Sequence, residues 1–282
     1  MSASFFWALA STAGTSVNDL LFKRYIAGSG RVGVYFAGAG VVWSAVLLGM
    51  NGCRVLSPDR VTLLYGLVAG CFSVTANIAL VRALARLDAS IGVTIFRLNF
   101  VLVMWLAVPL LGEALSLPKL AGLAAAVLAV GLFAGNGRRE RASVPVGGLA
   151  LAVLSSVLRA GMGLTYKLAA NHHADQAGFL LLNALCWVVG GVVWGAVVER
   201  NLRVDARAAR YALASGLLIV EIVVALARAL ALGQASVILP ITQLSFLITA
   251  LLSAGMGYER FTSRKGVALA CGVAAVAALL RA

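Results

Sequence analysis

The sequence predicts an all-α integral membrane protein of about ten transmembrane helices, arranged as two inverted five-helix repeats. Three observations predict it. The 282 residues are 62% hydrophobic and only 12% charged, against roughly 25% charged in soluble domains. The apolar residues gather into ten runs close to the ~20 residues that span a bilayer. The chain also matches itself at a shift of 146 residues.

The runs fall near 3–22, 32–50, 61–81, 89–111 and 117–135, then near 145–166, 177–198, 209–230, 235–257 and 265–280. Short gaps marked by Gly, Pro or charge separate them, as helix ends require. The runs are too long, and too uniform in hydropathy, for the alternating strands of a membrane barrel. The first run has no basic segment before it and reads as an uncleaved span rather than a signal peptide. A polar break, Gly135-Asn136-Gly137-Arg138-Arg139-Glu140-Arg141, divides the chain. The predicted halves are therefore 1–136 and 145–282. Gly66 with Gly70, Gly131 with Gly135, and Gly191 with Gly195 share helix faces, where small residues let helices approach closely in lipid.

Residues 79–113 and 225–259 align without gaps, with 13 identities in 35 positions. Shared Ala and Leu inflate such a match. Arg82 with Arg228, Phe100 with Phe246, and Glu113 with Glu259 are less easily produced by composition. A half with an odd number of spans begins on one side of the membrane and ends on the other, so its repeat enters upside down. Inverted repeats suit alternating access, in which the halves exchange roles.

The stretch Ala-Ser-Ile-Gly-Val-Thr-Ile at 89–95, followed by Pro109-Leu-Leu-Gly-Glu113 and a Gly/Ala-rich helix, resembles the EamA-type repeat of the drug/metabolite transporter superfamily. The second half carries a similar pattern: Ala235-Ser-Val-Ile-Leu-Pro240, then Gly257-Tyr-Glu259, then a last helix from Lys265. It departs in its final helix, where Gly266 lies closer to Glu259 than Gly122 does to Glu113. The resemblance covers nearly the whole chain. It implies ten helices and secondary transport of small polar or amphipathic metabolites across the cell inner membrane.

Asp19, Arg97, Arg159 and Glu221 fall inside apolar runs. On insertion scales Asp or Arg costs ~2.5–3.5 kcal/mol at the bilayer centre, so such residues mark paths or pairs. The pairs expected are Asp19 with Arg159 and Arg97 with Glu221. Glu221 and Asp19 are also the candidates for proton coupling. Ser90, Thr94 and Arg97, at spacings of four and three, form one polar helix face, with Asn99 nearby. The repeat places Ser236, Pro240 and Gln243 at the same positions of its second copy, with Ser245 opposite Asn99. Asn18, Asp19, Thr94, Arg97, Asn99, Arg159, Glu221, Gln243 and Ser245 are thus the substrate-path candidates. Glu113 and Glu259, at helix ends, are expected to bond loop amides or basic neighbours.

Other classes fit less well. The net charge of +13 is spread over short gaps, which suits lipid headgroups and not a nucleic-acid groove. Cys53, Cys71, Cys186 and Cys271 are scattered, and His172 and His173 share one polar loop, so neither a metal site nor a cofactor is expected. No Gly-x-x-x-x-Gly-Lys-Ser/Thr loop binds ATP, and no catalytic elbow or zinc helix marks an enzyme. The partners expected are the lipid bilayer and a small-molecule substrate; monomer and homodimer both stand open. A membrane-embedded enzyme and a non-transporting scaffold subunit are the alternatives. Fifteen Lys and Arg fall in odd-numbered loops and six in even loops and the tail. The positive-inside rule then puts both termini outside, whereas the resemblance implies both inside.

Overall fold

The computed structural model describes residues 3–28, 31–87, 89–134, 145–256 and 262–282. Every regular element among them is helical. They are α1 (Ala3–Ala27), α2 (Val32–Asn51), a 3-10 turn (Gly52–Leu56), α3 (Arg60–Leu84), α4 (Ala89–Arg97), α5 (Asn99–Leu111), α6 (Leu117–Ala134), α7 (Val146–Asn171), α8 (Gln176–Val197), α9 (Ala206–Leu232), α10 (Ala235–Gln243), α11 (Ser245–Gly255) and α12 (Ser263–Leu279). The polar break, Asp88, Glu259 and the Ser90 side chain lie outside the described residues.

Among the described residues seven stretches are long and apolar enough to cross a membrane: Val32–Leu56, Arg60–Leu84, Ile91–Leu111, Val146–Asn171, Gln176–Val197, Ala206–Leu232 and Ala235–Leu252. Their outward faces are greasy. On α8 the exposed side chains include Leu185, Val189, Val192, Val193 and Val197; on α9 they include Leu213 and Leu217. A soluble helix would turn polar residues outward. Lipid is the solvent that this surface fits, and the chain is a multi-pass helical membrane protein.

The chain divides into two compact units, residues 1–74 with 165–232, and residues 75–164 with 233–282. Each unit draws on both sides of the polar break, and α3 and α7 each contribute to both.

In the first unit α2 packs on α8, and α1 and α2 pack on α9. Glycine sets the closeness of the α2–α8 crossing. A Cβ on Gly191 would lie 2.4 Å from the Ala37 nitrogen and 2.7 Å from the Gly33 carbonyl oxygen, and one on Gly33 would lie 2.5 Å from the Gly195 nitrogen. Gly66 and Gly70 likewise receive Leu182 and Cys186 of α8. In the second unit α6 packs on α12, and α5 on α10. There Gly122 receives Leu279, and Ala83, Leu87 and Ala152 share a small core with Ile91 and Ile95. Gly131 does not act as a contact glycine, because a Cβ there would meet nothing within 4 Å.

Helix starts consume most of the acidic residues. Asp59 accepts from the Thr62 amide of α3, Asp175 from Gly178 of α8 and Asp205 from Ala208 of α9, each at 2.7 Å. Glu199 accepts from the Val32 and Gly33 amides of α2. Each carboxylate satisfies amides that the first turn leaves without intrahelical partners, and each lies where the helix dipole favours negative charge. The backbone amides hold the exposed Asp59 and Asp205 carboxyls below the usual carboxylate range.

Candidate functional site

The polar face predicted around residue 97 lies in the second unit, where two helices are interrupted at matching places. α4 ends at Arg97 and α5 begins at Asn99; α10 ends at Gln243 and α11 begins at Ser245. The joints, Leu98 and Leu244, are 146 residues apart. Their torsions agree closely, with φ −68° and ψ 2° at Leu98 and φ −77° and ψ 3° at Leu244. At each joint the chain tightens to a three-residue step: Val101 donates to Leu98 O, and Leu247 to Leu244 O, each at 3.0 Å.

That tightening has a chemical consequence. In an unbroken α-helix the Leu247 amide would bond Gln243 O. Here it bonds Leu244 O instead, which releases the Gln243 carbonyl. Arg97 takes it. Its Nη1 donates to Gln243 O and to Ser245 Oγ, both at 3.1 Å, and its guanidinium lies 5.2 Å from the Phe246 ring centroid. Arg97 thus touches its own counterpart in the repeat. Asn99 is buried and donates from Nδ2 to Phe96 O at 2.6 Å. Thr94 is half-buried and accepts from Leu98 at its carbonyl. Arg159, on α7, lies over the Phe96 ring at 5.9 Å and contacts Met162 Sδ at 3.5 Å.

Glu113 bonds backbone amides, those of a helix start rather than of a loop. Its Oε1 accepts from the Ala235 amide at 2.7 Å. Its Oε2 accepts from the Ser236 amide at 2.9 Å and from the Ser236 hydroxyl. The carboxylate therefore caps α10, whose own N-cap residue, Gln234, provides no side-chain bond.

The first unit holds the other candidates along antiparallel α1 and α9. Arg228 lies 4.7 Å from the Trp7 ring centroid, and Ser11 donates to Ile222 O at 3.0 Å. The Glu221 carboxylate covers Gly14, where a Cβ would come within 1.9 Å of Oε2. Farther along, Tyr35 donates to Ser215 Oγ, which donates to Asn18 Oδ1. Asp19 is half-buried and is an electrostatic neighbour of Tyr35. Glu221 itself is exposed. Asp19 and Glu221 belong to the first unit, and Arg97 and Arg159 to the second. Each expected pair therefore joins residues of different units.

Sequence reasoning missed Tyr35 and Ser215. Neither is charged, and small or apolar residues flank each, so only three-dimensional packing reveals their link to Asn18. It also missed the interruptions at Leu98 and Leu244, because neither carries Gly or Pro at the joint. The available signal was the aligned polar pair Asn99 and Ser245, each directly after a matched leucine. Of the other polar groups, Trp187 donates to Ser73 Oγ at 2.9 Å and Asn183 to the Tyr166 hydroxyl at 2.8 Å, while His172 stacks on Tyr65. Among the described residues no group of three His, Cys, Asp or Glu could hold a metal ion.

No family model matches the chain, and no curated protein matches it. The fold does occur elsewhere. A protein solved as a crystal structure, described without a function, superposes with a TM-score of 0.84 at 16% identity, over 99% of this chain and 96% of its own. A likeness at that identity concerns the fold alone.

Proposed function

We propose that the protein is a secondary transporter of the EamA type. It has ten spans in two inverted five-helix repeats and moves small polar or amphipathic metabolites across the cell inner membrane by alternating access. The observation that carries this reading is the pair of interrupted helices. Secondary transporters place broken helices, with their freed backbone groups, beside substrate and coupling ions. Irregular backbone at membrane depth persists only where protein or a cavity satisfies it. The joints at Leu98 and Leu244 are irregular in this way, and Arg97 satisfies one freed carbonyl.

The loop contacts support the count of spans. The α1–α2 and α8–α9 connections meet, through Arg31 and Asp205. The α2–α3 and α7–α8 connections meet, where the Asp175 amide donates to Thr62 Oγ1. Glu113, between α5 and α6, meets the start of α10. With α4–α5 and α10–α11 each counted as one span, every such contact joins loops of the same parity, as full crossings by each span require. In this reading Asn18, Asp19, Thr94, Arg97, Asn99, Arg159, Glu221, Gln243 and Ser245 are the candidates for substrate contact, and Glu221 and Asp19 the candidates for exchange of the coupling proton.

The test is solute flux in proteoliposomes across a panel of amino acids and other small metabolites, with and without a pH gradient. Transport of at least one solute, lost on Arg97→Gln, is expected. Absence of flux for every solute under both conditions overturns the proposal.

A further inference from the structure

One end of the first unit is strongly basic, and its basic side chains alternate with exposed apolar ones. We propose that this end, formed by the α1–α2 and α8–α9 connections, is a docking surface for anionic phospholipids.

Side-chain contacts join the two connections into one surface. Arg31 pairs with Asp205 at 3.1 Å, Arg207 donates to Gly28 O and Arg24 O, and Glu199 accepts from Val32 and Gly33. Lys23, Arg24, Arg200, Arg203, Arg207 and Arg210 are all exposed here. The two carboxylates among them are already committed: Glu199 to the amides of α2 and to Trp194 Nε1, and Asp205 to the cap of α9 and to Arg31. Neither carboxylate reaches Arg200, Arg203 or Arg210. Among the described residues the guanidinium groups of Arg200 and Arg203 meet no protein acceptor, and Arg210 uses only its Nε, toward Ala206 O.

Apolar side chains stand between the cations. Val197, Val198, Leu202 and Val204 are exposed, Val204 at 67%. Residues 201–205 have no regular secondary structure. A purely aqueous loop would not alternate valine and leucine with arginine. A segment lying in the headgroup layer would, with apolar groups entering the acyl boundary and cations meeting phosphates.

Arg200 adds an independent observation. Its φ is +51°, in the left-handed region where glycine is the low-cost residue. The turn is fixed by Glu199 donating to Trp194 O and Asn201 to Gly195 O. An arginine occupies this left-handed position, three residues past the end of α8, and its guanidinium meets no protein acceptor among the described residues. A cation at a position that favours glycine fits a ligand outside the protein.

The experiment uses the full chain in bilayers of equal phosphatidylglycerol and phosphatidylcholine, with retained lipids counted by native mass spectrometry. The expected result is enrichment of phosphatidylglycerol. A basic side chain at an anionic surface contributes about 1 kcal/mol, a factor of about five, so Arg203→Gln should lower the enrichment about fivefold. Arg200→Gly is the discriminating variant. It removes the backbone strain, so the fold should hold or gain thermal stability while enrichment falls about fivefold. Salt at about 1 M, where the Debye length is ~3 Å, should abolish most of the enrichment. Equal retention of the two lipids by the parent protein overturns the proposal, as does unchanged enrichment in both variants. Displacement of the lipid by inorganic phosphate alone would replace the lipid surface with a discrete phosphate site, and so overturn it as well. None of these readouts depends on transport.

Discussion

Replacing Glu113 tests whether the repeated Gly-Glu signal is a structural cap or part of the substrate path. The side chain is 7% exposed, and its two oxygens accept three hydrogen bonds from the first two residues of α10. Glu113→Gln keeps the volume and one acceptor oxygen. Its amide nitrogen then faces a backbone N–H, donor against donor, at whichever oxygen position it takes. A hydrogen bond to a charged group contributes about 1.5–3 kcal/mol, and a buried donor left alone costs about 1–3 kcal/mol. Glu113→Gln should therefore destabilise the protein by about 2–3 kcal/mol, and Glu113→Ala, which abandons all three bonds, by about 3–5 kcal/mol. A chain of this size loses roughly 2–4 °C of melting temperature per kcal/mol. Thermal unfolding of the detergent-solubilised protein should fall by about 4–12 °C for the glutamine variant, and further for alanine. A glutamine variant that melts with the parent protein would refute the capping argument.

Three further outcomes follow from the geometry. Gly191→Ala drives a Cβ into the backbone of α2 at 2.4 Å and should sharply reduce folded yield. Gly131→Ala meets open space and should be neutral or gain up to ~1 kcal/mol of helix propensity, with size-exclusion profiles and melting curves reading both; equal behaviour would refute the crossing geometry. Gly14→Ala must displace the Glu221 carboxylate, so proteoliposome flux should fall at least tenfold while the melting temperature holds within a few degrees, and unchanged flux would remove Glu221 from the path. The caps at Asp59 and Asp205 have folded-state pKa values below their unfolded values. Their stabilisation is therefore present above the unfolded pKa of ~3.9 and is lost as pH falls through the folded pKa. Hydrogen exchange at the Thr62 and Ala208 amides should accelerate in acid beyond the intrinsic trend, and Asp59→Asn or Asp205→Asn should remove that step.

Helix positions were legible because lipid imposes a length and a composition on each span, and both can be read along one dimension. The charge at Arg97 was legible as costly, and so as placed for a reason. Its contacts were not. Arg97 reaches a backbone carbonyl, Gln243 O, and a carbonyl exists at every residue. What makes this one available is the tight step at Leu244, which no Gly or Pro at the joint signals. The repeat carried more than its identities suggested. Ala235, Ser236 and Glu113 were found as separate matches between the halves, yet in the structure they form one interaction, a carboxylate bonded to two consecutive amides. Glycine stripes were legible only as possibilities. Gly191 and Gly131 have the same spacing signal, but one meets a backbone at 2.4 Å and the other meets nothing, and the difference lies wholly in the neighbouring helix.

The allocation of negative charge connects these observations. The sequence has ten acidic residues, and seven fall within the described residues. Five of those seven close helix N-termini: Asp59, Glu113, Asp175, Glu199 and Asp205. Any one can be explained by its helix alone, because amides that lack intrahelical partners and a favourable dipole are present wherever a helix begins. Asp19 and Glu221 have no such reason to be charged, since both lie inside α1 and α9. A carboxylate inside a span is costly enough to need a function or a partner. Both lie along the same α1–α9 contact, where Gly14 leaves room for Glu221, and Asn18, Ser215 and Tyr35 form a continuous hydrogen-bonded chain beside Asp19. A glycine that accommodates a carboxylate is of no use to helix stability, since alanine would serve the helix better. The cost is borne by the helix and the benefit falls to the carboxylate, which is why Gly14 separates a structural role for Glu221 from a working one.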